Sequence, residues 1–341
     1  MTPAPTRLRL RLPRALLDPR LSGLPGGAGD GLVAIELEQR QGRITALRPL
    51  AAGAAAQVSS EPLPLALTPL VEPHAHLDKC FTAAAFPNPE GTITGAMASN
   101  RQESEQRTGE QVLERAERAL EQAWRHGLRA IRSHIDSGGP ATRPSWEALL
   151  DLRRRWAGRV ELQLVALVPL AHWSSAEGEE LARWVADRGG WLGGVLAPPY
   201  GRMRSDRDAL GALLGLAERL GTGVDLHVDE ADDQPGWGVA LVADVAAERR
   251  CGVPITCSHA ASLSLLGVRR LDRLAEQLAA AGIAVVALPL TNLWLLGRRP
   301  ERTPRLRVQA PVRSLQRAGV LVALGGDNVQ DPWYPGGDFD P

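Results

Sequence analysis

The sequence has almost no lysine, few aromatic residues, three cysteines and no net charge. Its 39 basic and 39 acidic residues balance. That excludes the basic excess of a general nucleic-acid binder or a binder of acidic lipids. No run approaches the roughly 18 uninterrupted apolar residues of a membrane-crossing helix. Cys80, Cys251 and Cys257 are odd in number and form no CxxC. They make neither a disulfide framework nor a cysteine-rich zinc site, and they fit a reducing compartment, the cytoplasm. The first 20 residues are Arg-rich but lack an apolar core, so they are not a secretory signal. Lys79 is the only lysine, and every other basic residue is arginine. Such a bias reflects base composition; a single lysine surviving it inside a dense motif is notable.

What is present is ordinary for a globular protein: 44% apolar and 23% charged residues in 341. Residues 1–70 hold short strand patterns at Leu8–Leu12, Leu32–Glu38 and Arg43–Leu47, with a loop expected at Gly23–Gly31, and read as a small β layer. From residue 71 to 341 the rhythm changes. Strand-length apolar runs recur near Leu70–Glu72, Leu128–Ser133, Leu162–Val168, Leu192–Leu196, Val224–Leu226, Pro254–Cys257, Ile283–Leu288 and Val320–Leu324. Helical periodicity fills Gly109–His126, Ser145–Trp156, Ala176–Arg188, Asp206–Leu220, Gly238–Arg249, Leu265–Ala281 and Gln309–Ala318. Eight strands alternating with seven helices predict an α/β protein, a (β/α)8 TIM barrel. The alternative is a doubly wound open sheet. The first turn lacks GxGxxG, which weakens its dinucleotide-binding version. Phe81–Thr108 reads as a long first loop, of the kind that covers active sites. The barrel stops shortly after its eighth strand, leaving no room for an eighth helix.

The seven histidines are not scattered. His74, His76, His134, His227 and His259 fall at or just past the C-terminal ends of predicted strands, where barrel active sites lie. His126 and His172 fall elsewhere and read as solvated or capping groups. His74 and His76, two apart on a strand, share a face. Two neutral imidazoles so placed suit Zn²⁺ or Fe²⁺. His134 and Asp136 pair in the same way, as do His227 and Asp229. Strand parity turns Glu230 away from His227 unless the strand has ended there. Asp327 and Asn328 follow Gly325-Gly326 at the eighth strand.

Together these motifs resemble the amidohydrolase superfamily, and within it the cytosine deaminase branch. The matching stretches are Val71-Glu72-Pro73-His74-Ala75-His76-Leu77-Asp78, Arg132-Ser133-His134-Ile135-Asp136, His227-Val228-Asp229-Glu230, Thr256-Cys257-Ser258-His259, Pro289-Leu290-Thr291-Asn292 and Asp327-Asn328-Val329-Gln330-Asp331-Pro332-Trp333. The resemblance implies that His74, His76, His227 and Asp327 hold one divalent metal, zinc or iron. It implies that Glu230 shuttles protons and that His259 stands beside the reacting water. No lysine lies on the fourth strand, so a carbamylated two-metal site is not expected. H-x-E with P-C-x-x-C is also absent, so this is not the zinc deaminase fold that acts on nucleic acids.

Two departures concern the substrate. Leu170 stands where cytosine deaminases carry a glutamine, and Asn328 where they carry a second aspartate; the latter is closer to N-isopropylammelide amidohydrolase. Trp333 offers a flat apolar face. The resemblance also implies a last helix and returning strands that this sequence lacks. The expected function is hydrolysis of a C–N bond on a small nitrogen heterocycle, with no nucleic-acid or membrane partner. The alternatives are a cyclic-amide or N-alkyl amidohydrolase with the same site, or a truncated non-catalytic paralogue. The uncovered barrel edge suggests a homo-oligomer.

Overall fold

The computed structural model describes residues 6–18, 31–50, 63–200, 203–299 and 301–340. The loop expected at Gly23–Gly31 falls, apart from Gly31, outside them. The chain divides into two compact units, Met1–Pro69 and Leu70–Pro341.

The small unit holds β1 (Thr6–Pro13), β2 (Leu32–Arg40) and β3 (Arg43–Pro49), antiparallel in that order. Gln41 and Gly42, both at positive φ, form the two-residue hairpin between β2 and β3. The Leu/Arg alternation of β1 turns Leu10 into the core, while Leu8 stays 48% exposed. Leu10 is buried with Val33 and Ile35, and Leu12, Leu37 and Leu47 pack beside them. Arg9 reaches across to Glu36 at 3.3 Å.

The large unit contains eight parallel strands: β4 (Leu70–Ala75), β5 (Leu128–Asp136), β6 (Glu161–Pro169), β7 (Trp191–Leu196), β8 (Val224–Val228), β9 (Ile255–His259), β10 (Ala284–Ala287) and β11 (Val322–Leu324). They pair in sequence order from β4 to β11. Between them run α1 (Ile93–Gln106), α2 (Gly109–Arg125), α3 (Thr142–Arg155), α4 (Ala176–Ala186), α5 (Met203–Leu220), α6 (Trp237–Arg249), α7 (Val268–Ala280), α8 (Pro289–Leu295) and α9 (Val312–Arg317). None of the described helices is long and apolar enough to cross a membrane. Strands β8 and β9 are buried at every residue, as strands covered on both faces must be.

The sheet curls until β11 meets β4, forming a nearly closed TIM barrel. Ala75 bridges Asp327, and the Asp327 N–H donates to the His74 carbonyl at 3.1 Å. Pro73 has no N–H to give this seam, and a carboxylate substitutes for ladder bonds. Glu72 Oε1 accepts the His74 N–H at 3.0 Å and Oε2 accepts the Gly326 N–H at 2.8 Å. A Cβ on Gly325 would lie 2.6 Å from Glu72 Oε1, so this close approach requires glycine.

Two helices carry no readable period. α1 lies inside the stretch expected to be a long loop. Thr92 caps it by accepting the Gly95 N–H, but only Ala96 and Glu103 are buried, so it has no apolar stripe to read. α8 begins with proline at its first turn and is too short to display a period.

No helix follows β11 among the described residues. Leu321 and Leu324 are 75% and 63% exposed, and Val71 of β4 is 58% exposed. Val71, Leu290 and Leu324 line one groove of about 230 Å³. Apolar strips of this kind are unusual on a monomer. The protein is therefore expected to self-associate at micromolar concentration, and Leu321→Glu with Leu324→Glu to shift it toward monomer. Light scattering checks this; a wild-type monomer contradicts it.

Candidate metal centre

Three strand ends turn sharply where the chemistry gathers. Asp229, His259 and Asp327 adopt positive φ of 55°, 70° and 65°. For non-glycine residues this costs on the order of 1 kcal/mol each or more. The gain is direction. β8 ends at Val228, and the turn at Asp229 brings Glu230 round to the face that strand parity denies it. Asp229 is held in that turn by the Gly238 and Val239 N–H groups at the start of α6, at 3.1 and 2.9 Å. The Tyr200 hydroxyl also donates to it, at 2.5 Å.

At the centre four donor atoms converge. His227 Nε2 lies 3.1 Å from His74 Nε2 and 3.2 Å from His76 Nε2. Asp327 Oδ1 lies 3.3 Å from His76 Nε2 and 3.5 Å from His74 Nε2. Donors held tetrahedrally around a metal at 2.0–2.2 Å are about 3.3–3.6 Å apart, so the spacing fits a divalent ion. Both Asp327 carboxylate oxygens, His259 Nε2, Glu230 Oε1 and both His134 nitrogens are buried without a hydrogen-bond partner. Such clusters of unpaired polar atoms call for a ligand. Among the described residues two overlapping sets lie within metal-binding reach: His74 with His76 and Asp327, and His74 with His134 and His227. His134 stacks on His74 with ring centroids 3.9 Å apart.

A relay behind the centre orients His74. Its Nδ1 lies 2.9 Å from Ser258 Oγ, and that hydroxyl donates to Asp225 Oδ1 at 2.8 Å. Ser258 thus accepts from Nδ1–H and leaves the His74 Nε2 lone pair facing the centre, the usual arrangement behind a metal-ligating histidine. Arg132 donates to Asp225 Oδ2 at 2.5 Å. Sequence reading missed Asp225 and Ser258, although Asp225 stands two residues before His227, on the same strand face.

Burial keeps the imidazoles neutral, the form that binds metal. It pushes His74, His134 and His227 well below the ordinary histidine range, and neighbouring histidines push the same way. His259 falls from about 6.5 to about 4, again chiefly by burial. Asn292 Nδ2 meets its Nδ1 at 3.0 Å, which places the ring proton on Nε2. Burial raises Glu230 well above the carboxylate range, and the Asp327 charge adds to it. Glu230 Oε1 lies 3.7 Å from His259 Nδ1. Burial alone would raise Asp327, but the neighbouring His76 and His259 hold it below its ordinary value.

These shifts set an acid limit. The unfolded chain titrates its histidines near 6.5, whereas folded His259 takes its proton only near 4. Its contribution is present above pH 6.5 and lost as pH falls through 4, amounting to roughly 3 kcal/mol. Between pH 6.5 and pH 4 the wild type is expected to lose more stability to urea than His259→Asn, a difference that sets aside Glu72, Asp225 and Asp331, whose burial-raised carboxyls act in the opposite sense. Equal losses over that span contradict the buried-neutral assignment.

The remaining predicted residues are not among the four donors. Leu170, with Trp173, lies in the main apolar core, its Cδ1 packed toward Gly194. The Asn328 amide donates to Asp331 Oδ2 at 2.7 Å. The Trp333 N–H donates to Asp331 Oδ1 at 2.8 Å, while its indole Nε1 is buried without a partner. His126 closes the end of α2. A cavity of about 950 Å³ opens among Arg129–Arg132, Val160–Gln163 and Ala284–Val286, but it holds none of the convergent donors.

Residues 85–341 match the sequence profile of the Amidohydrolase family. A pterin deaminase of Rhizobium rhizogenes is 33% identical over 323 residues, which cover 94% of this chain and 73% of that protein. The 5-methylcytosine deaminase of Klebsiella pneumoniae, solved with 5-fluorocytosine, has a TM-score of 0.81 at 27% identity, covering 98% of this chain and 78% of its own. The N-isopropylammelide isopropylaminohydrolase of Burkholderia multivorans has a TM-score of 0.67 at 26% identity, with the same coverage.

Proposed function

Since the chain belongs to the amidohydrolase family, we propose that it is a metal-dependent deaminase of a small amino-substituted nitrogen heterocycle. It acts on carbon–nitrogen bonds other than peptide bonds. The observation that carries the reading is the convergence of His74, His76, His227 and Asp327 at metal-ligand spacing, with a protonatable Glu230 alongside. Three imidazoles and one carboxylate suit Zn²⁺ or Fe²⁺. Such an ion, when bound, lowers the pKa of a water to about 7 and so supplies a nucleophile at neutral pH.

The protein's own groups do the rest. Glu230, kept protonated by burial, gives its proton to a ring nitrogen as the C–NH2 carbon is attacked. It then takes one proton from the attacking water and passes it to the departing amine, and it recovers the second water proton as the C=O bond forms. Water and the amino-heterocycle become the oxo-heterocycle and ammonia, with no redox change. His259, neutral above pH 4 or so, turns its Nε2–H toward the reacting oxygen. The three cysteines are free, in keeping with a reducing cytoplasm. The complete donor set counts against a non-catalytic paralogue.

The test is ammonia release from a panel of pterin, cytosine, 5-methylcytosine and N-isopropylammelide, the last also assayed for isopropylamine. At least one ring should turn over. No turnover by metal-loaded protein on any of them contradicts the reading. Leu170 cannot pair with the amide edge of cytosine, and a ring edge left unpaired in a buried site loses roughly 1–3 kcal/mol. Cytosine is therefore expected to have a kcat/KM at least about 10-fold below that of the best substrate. Parity would remove Leu170 from substrate choice.

A further inference from the structure

The barrel has a second opening, at the end away from the metal centre. The cavity of about 950 Å³ is lined by Val71, Arg129, Glu161, Thr256, Ala284 and Leu321. These residues lie at or beside the N-terminal ends of β4, β5, β6, β9, β10 and β11, whereas the metal ligands lie at the C-terminal ends. The volume is in the range of small-molecule sites. Arg153 and Arg159 stand on the same wall as Arg129. Among the described residues, the hydrogen bonds of these three arginines go only to the backbone carbonyls of Leu128, Arg188 and Arg155. No carboxylate pairs with them there. Of the two acids in the lining, Glu72 commits both oxygens to the barrel seam, and Glu161 stands alone against the arginines. The wall thus carries positive charge that it does not neutralise, on forked donors suited to phosphate oxygens.

Arg132 joins this cavity to the metal centre. It lines the cavity, and its Nε donates to Gln163 Oε1 at 2.6 Å. Nη1 donates to Asp225 Oδ2 at 2.5 Å and to Thr256 Oγ1 at 3.1 Å. Nη2 makes no hydrogen bond among the described residues, so both of its hydrogens are left for a ligand. Beyond Asp225 the path is short. Asp225 Oδ1 accepts from Ser258 Oγ at 2.8 Å, and Ser258 Oγ meets His74 Nδ1 at 2.9 Å. Only two side chains therefore separate an arginine of the cavity wall from a histidine of the metal centre.

We propose that this cavity binds a small organic monophosphate, and that the bound anion tightens the metal centre through Arg132. A phosphate on Nη2 shares the guanidinium charge and loosens its hold on Asp225. Asp225 becomes the stronger acceptor for Ser258, and Ser258 the stronger acceptor for the His74 Nδ1–H. A histidine whose far N–H is held more firmly is the more basic metal ligand. The effect is one of binding, with no bond made or broken. It depends on His74 being a metal ligand and not on which heterocycle is the substrate.

Ribose 5-phosphate is the probe and ribose its control. In calorimetry, metal-free and zinc-loaded protein should both bind ribose 5-phosphate, and neither should bind ribose. In competition against a chromogenic chelator, saturating ribose 5-phosphate should raise zinc affinity by about fivefold or more. Reciprocity then requires zinc to tighten the sugar phosphate by the same factor. Arg129→Glu with Arg153→Glu should weaken ribose 5-phosphate by at least about 10-fold and abolish its effect on zinc. Without the anion, zinc affinity in that variant should stay within about twofold of wild type, since neither arginine touches the relay. Failure of the wild-type protein to bind the sugar phosphate overturns the proposal, as does equally tight binding of ribose. Binding that requires zinc places the anion on the metal and overturns it too. Zinc affinity unmoved by the bound anion overturns the coupling. The wild-type titrations need no variant, so misfolding of the double variant leaves the proposal open to refutation.

Discussion

Glu230→Gln lowers kcat by about 10²-fold or more and leaves metal content at the wild-type level. The amide keeps the shape and the turn at Asp229, but it cannot give up and retake a proton. The prediction follows from placement. Glu230 Oε1 is buried without a hydrogen-bond partner, 3.7 Å from His259 Nδ1. Burial and the Asp327 charge hold its carboxyl protonated. A surface glutamate performing no proton transfer would tolerate the change. Unchanged turnover with full metal would remove Glu230 from the reaction. Loss of metal along with activity would instead make it a ligand.

His227→Ala removes most of the bound metal, and activity goes with it. His227 Nε2 touches both His74 and His76, so it is the hub of the donor set. Losing a residue that merely orients a ligand costs about 10- to 100-fold in metal affinity, so losing a direct donor should cost at least about 100-fold. Ser258→Ala provides the comparison. It leaves every donor in place and removes only the hydroxyl between His74 and Asp225, so its loss should be the smaller. Competition against a chromogenic chelator ranks the three proteins. Equal affinity in His227→Ala and wild type would break the assignment. A Ser258→Ala loss exceeding that of His227→Ala would mean that the relay, not the imidazole, governs the site.

The sequence was most legible where physics imposes a period. The eight parallel strands and most of the helices between them show because apolar runs and helical stripes repeat. α1 did not show because its contacts are polar, anchored by Thr92 and by Glu103 pairing with Arg107 at 2.5 Å. The histidines were legible because strand ends in a barrel converge. The side-chain direction at Glu230 was not, since it depends on one residue, Asp229, adopting positive φ. Relay members are harder still. Asp225 and Ser258 are single residues on separate strands, and only the barrel's closure makes them neighbours. Leu170 was singled out by its place in a motif, and its packing against Gly194 depends on the turn after β6, which no period announces.

The account turns on a single metal held by His74, His76, His227 and Asp327. Its most direct test is to strip the protein with a chelator, return Zn²⁺ in measured equivalents, and follow ammonia release from the best heterocycle at each step. Activity should be absent in the stripped protein, rise linearly, and level off at one equivalent per chain. Full activity without metal, or a break at two equivalents, would contradict it.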